Sequence, residues 1–413
     1  MRAVGLITEY NPFHNGHLYH LRRSLEQADA QVSVAVMSGH FLQRGEPALV
    51  DKWVRAEMAL AAGVDVVVEL PLPWACSSAP DFARGAIQAL TALGVDAVSF
   101  GSESGDLDAL QRCANLLAHQ KKPVKKHTSA ALRRGVAFPQ ARAQAIRTLS
   151  PAADIQEVLA SPNNILGLAY LRALSEVDSP IVPLTITRIG AGYHDLDTKE
   201  GIASATGIRQ CLRDGLAIDG LVPDSVAFLL KKTFAKGMGL DEDIFFRLLS
   251  AQIVRQPDEL ERYWLVEAGL EQRLIDAADQ SDHLEELICA IKARHLTRTR
   301  VQRALVAVLL GIETMTAQRL LAASPTYLHL LAVSERGEKF LAAQRKRRTL
   351  PLLQNFSRVQ AILKRRYGAE PETLQRAQSQ LALQLRASRI YSLLQKNFCG
   401  HRQRDYFESL RRG

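Results

Sequence analysis

A chain of 413 residues can bury a large core and reads as two domains. Its 47% hydrophobic and 23% charged residues are the balance of an ordinary globular protein, and no apolar run reaches membrane-spanning length. The net charge of +9 is unevenly spread: residues 1–286 carry 28 Lys/Arg against 36 Asp/Glu, whereas residues 287–413 carry 24 against 7, a balance of +17. Met1-Arg2 leads straight into an apolar run with no signal-peptide core, so a cytoplasmic setting is expected. Cys76, Cys113, Cys211, Cys289 and Cys399 lack metal-ligand or CxxC spacing and read mainly as small core residues.

In chain order, residues 3–7 form a strand-like apolar run, Asn11-Pro12 breaks it, and Leu18, Leu21 and Leu25 recur at helical spacing. His14-x-Gly16-His17 therefore lies at a helix start, where unpaired N–H groups and the positive end of the helix dipole favour an anion. Gly16 clears space for a phosphate. Two imidazoles add donors toward oxygens that gain charge when a nucleotide's α-phosphorus is attacked. A lone His-x-Gly-His can be a simple helix cap; its place after the first strand of an α/β pattern is what points to nucleotidyl transfer.

Residues 32–37, 64–70, 95–100 and 181–187 are further apolar, β-branched runs, with helical stretches around 51–62 and 78–93. This alternation predicts an α/β fold with a Rossmann-like, doubly wound parallel sheet over residues 1–220. Ligands of such sheets bind at the carboxyl ends of the strands. Ser38-Gly39-His40, Pro71-Leu72-Pro73-Trp74 and Gly101-Ser102-Glu103 all fall there. In the loop 38–46, Ser38, His40, Gln43 and Arg44 are candidates to hold a second substrate in line with the α-phosphate, against the alternative of a tight surface connection.

Lys121-Lys122-Pro123-Val124-Lys125-Lys126-His127 reads as a solvated basic face that could also touch RNA. Ser161-Pro162-Asn163-Asn164 opens a helix, with Asn either capping it or hydrogen-bonding a nucleoside. Ser204, Thr206 and Arg209, at another helix start shortly after Arg188-Ile189-Gly190, suggest a second anion cradle for departing phosphates.

From about residue 220 strand signals fade, and amphipathic stretches around 244–254, 259–278, 282–294, 299–310 and 373–396 predict an all-α C-terminal domain over 221–413. Its basic residues cluster at Arg294, Arg298, Arg300 and Arg303, at Arg345, Lys346, Arg347 and Arg348, and at Lys364, Arg365 and Arg366. So large an imbalance suits a polyanion, and nucleic acid is the expected partner.

The segments GLITEYNPFHNGHLYHL, VAVMSGHFLQRGEPALVDKW, VVELPLPWA, FGSE, SPNNILGLAY, TRIGAGYHD and IASATGIR together resemble the bacterial tRNA(Met) cytidine acetate ligase family, within the HxGH nucleotidyltransferases. The resemblance runs the full length and implies activation of acetate by ATP as acetyl-adenylate. Transfer to N4 of the wobble cytidine of elongator tRNA(Met) would then give N4-acetylcytidine. Carried over by position, it assigns nucleotide binding to Ile7, Thr8, Glu9, Tyr10, Asn11, Pro12, Phe13, His14, Asn15, Gly16, His17, Leu18, Tyr19 and His20. Gly101, Asn163, Arg188 and Ile189 would complete that site, and the helical domain would hold the tRNA. A KMSKS-type second motif is absent, and Ser-Ala-Thr-x-x-Arg stands in its place. Mg²⁺ commonly bridges ATP phosphates, but nothing marks a dedicated metal cage. Two other readings compete: an adenylyltransferase or acyl-adenylate ligase acting on a small metabolite, and a non-catalytic tRNA-binding protein with a vestigial nucleotide fold.

Overall fold

The computed structural model describes residues 1–136, 138–149, 158–159, 161–189, 203–293, 296–397 and 403–413. Arg294, Gly190, Cys399 and most of the TRIGAGYHD segment lie outside them.

The apolar runs become β1 (Ala3–Thr8), β2 (Val32–Ser38), β3 (Val66–Leu70), β4 (Ala97–Ser102) and β5 (Val182–Thr187). Val34 and Val36 enter one buried cluster while Ala35 and Met37 enter another. Successive residues of a strand point to opposite faces, so a strand covered on both sides must be apolar throughout. These five strands pair in parallel in the order β5-β4-β1-β2-β3. The chain thus proceeds from β1 to β3 on one side and returns to place β4 on the other. Such a reversal opens a crevice between the carboxyl ends of β1 and β4.

The second half is helix-rich, with Glu242–Arg255, Leu284–Ile291, Arg298–Leu310 and Pro371–Leu393 close to the expected stretches. The expected helix 259–278 is instead a 3-10 segment, Pro257–Arg262, and a separate helix, Leu270–Gln280. Nor is this half wholly α. β6 (Leu328–Val333) pairs antiparallel with β3, and β7 (Leu352–Leu353) and β8 (Arg411–Arg412) pair with β6. Without them β3 would be an exposed apolar edge, a liability that these strands cover. The run LHLLAV has no period-2 alternation because it too is buried on both faces, which is why its strand character was not legible. The main core joins Val34 and Val68 of the sheet to Leu305 and Val308 of the helix-rich half, so the two halves share one interior.

Candidate active site at the carboxyl ends of the strands

β1 ends at Thr8, and the helix Asn15–Gln27 begins at its N-cap, His14. Both imidazoles serve as backbone caps. The Gly16 N–H donates to His14 Nδ1 at 3.1 Å, and the His14 N–H donates to His17 Nδ1 at 3.3 Å. An acceptor Nδ1 fixes the neutral tautomer with its proton on Nε2. Each ring thus keeps one N–H donor on its far edge. The rings stack at 3.7 Å between centroids, and Tyr10 and Phe13 pack against His17 at 5.0 and 5.5 Å. Burial, with Arg188 and Arg209 nearby, holds the His14 pKa down at about 3, and burial beside His14, His20 and Arg188 keeps His17 well below the ordinary value. Two uncharged donors therefore face the crevice at neutral pH, alongside the positive end of the helix.

Other elements bring charge to the same place. Ser204 caps the helix Ala205–Arg213 by accepting from the Gly207 N–H at 3.1 Å, so its hydroxyl is committed to the backbone. Arg209, one turn on, donates through Nη1 to the Asn11 carbonyl at 2.9 Å and pairs with Glu46 at 3.4 Å. Arg188 follows β5 with its N–H on the Ser102 carbonyl, and a Cβ at Gly101 would lie 3.1 Å from Arg188 Cγ. Ile189 is exposed beside it. Asn163 is not a helix cap. Its Nδ2 donates to Glu103 Oε1 at 2.7 Å, while the Asn163 and Asn164 N–H groups both donate to the Glu103 carboxylate. Glu103 thus caps the helix Pro162–Glu176 and ties it to the end of β4.

The loop after β2 is stapled to β1 by a residue the sequence did not single out. Arg55, fully buried on the helix Lys52–Ala61, donates to the carbonyls of Glu9, Ser38, Gly39 and Val50. Gln43 N–H donates to Glu9 Oε1 at 2.7 Å, and Arg303 Nε donates to the Gln43 carbonyl at 2.7 Å. Burial raises the Glu9 pKa, opposed by the Gln43 N–H and by Arg44 and Arg209. Gly45 has φ +84, and a Cβ there would collide with the backbone of Gln302 and Arg303. The loop consequently lies flat on the helix Arg298–Leu310.

Within this loop His40 points into the interior. Its ring is 3% exposed, stacked on Tyr391 at 4.4 Å and edge-on to Trp53 at 5.4 Å, with neither nitrogen hydrogen-bonded among the described residues. It sits inside the packing beneath the loop. Ser38 is likewise buried, with its Oγ unbonded among the described residues.

Beneath the loop lies a second feature missed in the sequence. Lys52 Nζ contacts Glu69 Oε2 at 2.7 Å and Asp405 Oδ1 at 2.6 Å; His329 Nδ1 and Gln384 Nε2 reach Glu69 Oε2 at 2.9 and 2.5 Å. Glu69, His329 and Asp405 are ligand types for a metal ion, but the Lys52 ammonium is the cation held between the two carboxylates. Lys52 and Arg55, charged residues in the first turn of a helix rich in apolar residues, were the signal available in the sequence.

The basic residues divide. Arg298 forms a bidentate pair with Glu285 at 2.5 and 2.6 Å, which cancels its charge. Arg345, Lys346, Arg347, Lys364 and Arg365 are exposed, and Arg366 donates to the Thr349 carbonyl at 3.3 Å, bringing two clusters onto one surface. The helix Lys121–Arg133 presents Lys122, Lys125, Lys126 and His127 to solvent.

Residues 1–405 match the family model described as HIGH Nucleotidyl Transferase. The tRNA(Met) cytidine acetate ligase of Syntrophotalea carbinolica is 54% identical over 411 residues, covering 99% of this chain and 98% of that protein. The ligase of the same name from Caldanaerobacter subterraneus is 37% identical, with 96% of each chain covered. The crystal structure of Thermotoga maritima TmcAL bound with alpha-thio ATP superposes with a TM-score of 0.91 at 32% identity, covering 100% of both chains.

Proposed function

The chain belongs to the HIGH nucleotidyl transferase family and, within it, to the tRNA(Met) cytidine acetate ligases, and from that premise we propose that it joins acetate to tRNA(Met) in two ATP-driven steps. The observation that carries this reading is the stacked pair His14 and His17, with two Nε2–H donors at a helix N-terminus beside Arg188 and Arg209.

In the first step an acetate oxygen attacks the α-phosphorus, and the bond to the departing diphosphate breaks. Acetate is already a carboxylate nucleophile, so no general base is needed. The requirement is for donors that neutralise equatorial oxygens and the leaving group, and neutral imidazoles held in place by their backbone bonds meet it without reorganising. His14 and His17 serve the transferred phosphorus, while Arg209 and Arg188 serve the phosphates that leave. Residues 7–20, with Gly101, Asn163, Arg188 and Ile189, line the nucleotide site, and Asn163 acts chiefly by holding the end of β4. In the second step the cytidine N4 amine attacks the acetyl carbonyl, and AMP departs. The loop 38–46, with Arg44, faces the acyl side. His40 and Ser38 support that loop from within.

Residues 1–220 carry the nucleotide chemistry and residues 221–413 carry the RNA, although β6 to β8 complete the catalytic sheet. RNA contact falls to Arg345, Lys346, Arg347, Arg348, Lys364 and Arg365, a basic surface whose charges no carboxylate pairs among the described residues. Any Mg²⁺ arrives with the nucleotide. We place the enzyme in the cytoplasm, where its tRNA is; among the described residues no helix is long and apolar enough to cross a membrane. Incubation with ATP, labelled acetate and total tRNA tests the whole assignment. Label in tRNA with AMP and diphosphate released in equal amounts is expected; acetate-dependent ATP turnover without labelled tRNA would overturn it.

A further inference from the structure

The helix Arg298–Leu310 of the helix-rich half lies directly on the loop after β2, where a Cβ at Gly45 would meet its backbone. From it Arg303 is half-buried, and its single described hydrogen bond runs from Nε to the Gln43 carbonyl. Its terminal nitrogens, Nη1 and Nη2, have no hydrogen-bond or ion-pair partner among the described residues. Gln43 in turn holds Glu9, which is one residue from Tyr10 and hence from the His17 ring. Arg303 therefore stands at the edge of the catalytic crevice.

The surrounding charges say on which side. Arg188, which follows β5, acts on both imidazoles, whereas Arg209, bonded to Asn11 and paired with Glu46, acts on His14 and on Glu9 alike. Arg44 acts on Glu9, and Arg303 is felt by Glu9 and by the buried Cys76 thiol after β3. Arg44 and Arg303 thus belong to the loop after β2, and Arg188 to the end of β5 on the other side of β1. Cys76 and Tyr170, both buried, feel the Glu9 carboxyl as well.

We infer that Arg303 is a substrate-binding residue that grips the carboxylate of acetate through its two terminal nitrogens and, with Arg44, aims one oxygen at the α-phosphorus. The inference rests on the acetate-activating reading above. A planar guanidinium matches a carboxylate with two parallel N–H···O bonds, which fixes direction as well as position. Its Nε bond to Gln43 locks the fork before substrate arrives, so the chain's helix-rich half contributes directly to the first chemical step.

Arg303→Gln provides a sharp test. The glutamine Nε2 takes the place of arginine Nε and keeps the bond to the Gln43 carbonyl, while the charge and both terminal donors are lost. Acetate- and ATP-dependence are read by pyrophosphate exchange and by label transfer to tRNA. The expected result is an acetate KM raised about ten- to a hundredfold with an ATP KM within about twofold of wild type, since charged hydrogen bonds carry that range. Arg303→Lys should recover part of the acetate affinity. An unchanged acetate KM in Arg303→Gln overturns the inference, as does a rise confined to the tRNA KM, which would mean that Arg303 meets an RNA phosphate. Failure of the wild-type enzyme to exchange pyrophosphate with acetate would instead overturn the functional reading itself.

Discussion

His14 does two separable jobs, and a single substitution can divide them. Its Nδ1 caps the helix Asn15–Gln27 through the Gly16 N–H, whereas its Nε2–H, without a partner among the described residues, is the donor proposed for a phosphate oxygen. In His14→Asn the Oδ1 atom falls where Nδ1 was and still accepts from the backbone, but the distal donor is gone. In His14→Ala both are lost. A donor aimed at developing charge contributes about 3 kcal/mol to barrier lowering, so His14→Asn should reduce acetate-dependent pyrophosphate exchange about a hundred- to a thousandfold. Its stability should stay close to wild type. His14→Ala should show the same rate loss and an added cost of about 1 kcal/mol for the missing cap. For a chain of 413 residues, with unfolding entropy of about 2 cal/mol/K per residue, that is a shift of about 1 °C in Tm. Thermal melts and exchange rates on the two variants separate the roles. Wild-type exchange in His14→Asn would refute the assignment of the distal N–H to the phosphate.

Further expectations concern pH, packing and RNA. The His14 pKa stands near 3 against an ordinary 6.5, so the unfolded chain binds the proton first and stability is present above pH 6.5 and lost as pH falls. At pH 5 this one group should cost about 2 kcal/mol, and urea midpoints measured from pH 7 to 5 should fall less steeply in His14→Asn. Lys52→Met leaves the carboxylates of Glu69 and Asp405 buried without their cation and should destabilise by about 3–5 kcal/mol, measured by denaturant unfolding. A loss below about 1 kcal/mol would show that the cluster does not depend on the lysine. Replacing Arg345, Arg347 and Arg365 with Gln should weaken tRNA binding at low salt and flatten its salt dependence while sparing exchange without tRNA. Equal affinities at low salt would exclude that surface from RNA contact. Arg298→Gln should change tRNA affinity little, because Glu285 already neutralises it.

Local chemistry alone made much of this protein legible. The five parallel strands, the helix starting at His14 and the place of two histidines at its first turn follow from short-range pattern, because periodicity and capping act within a few residues. The surplus of basic charge after residue 286 is likewise a property of the chain, whatever its fold. Three things had to wait for the tertiary structure. β6 joins the sheet because β3 needs a partner, and a strand buried on both faces carries no alternation to announce it. The burial of His40 is another, since whether an imidazole meets solvent or Tyr391 depends on a helix some 350 residues away. Arg55, Arg303 and the cluster around Lys52 gain their roles from partners distant in sequence, Asp405 above all, and no window of local sequence contains both ends of such a contact.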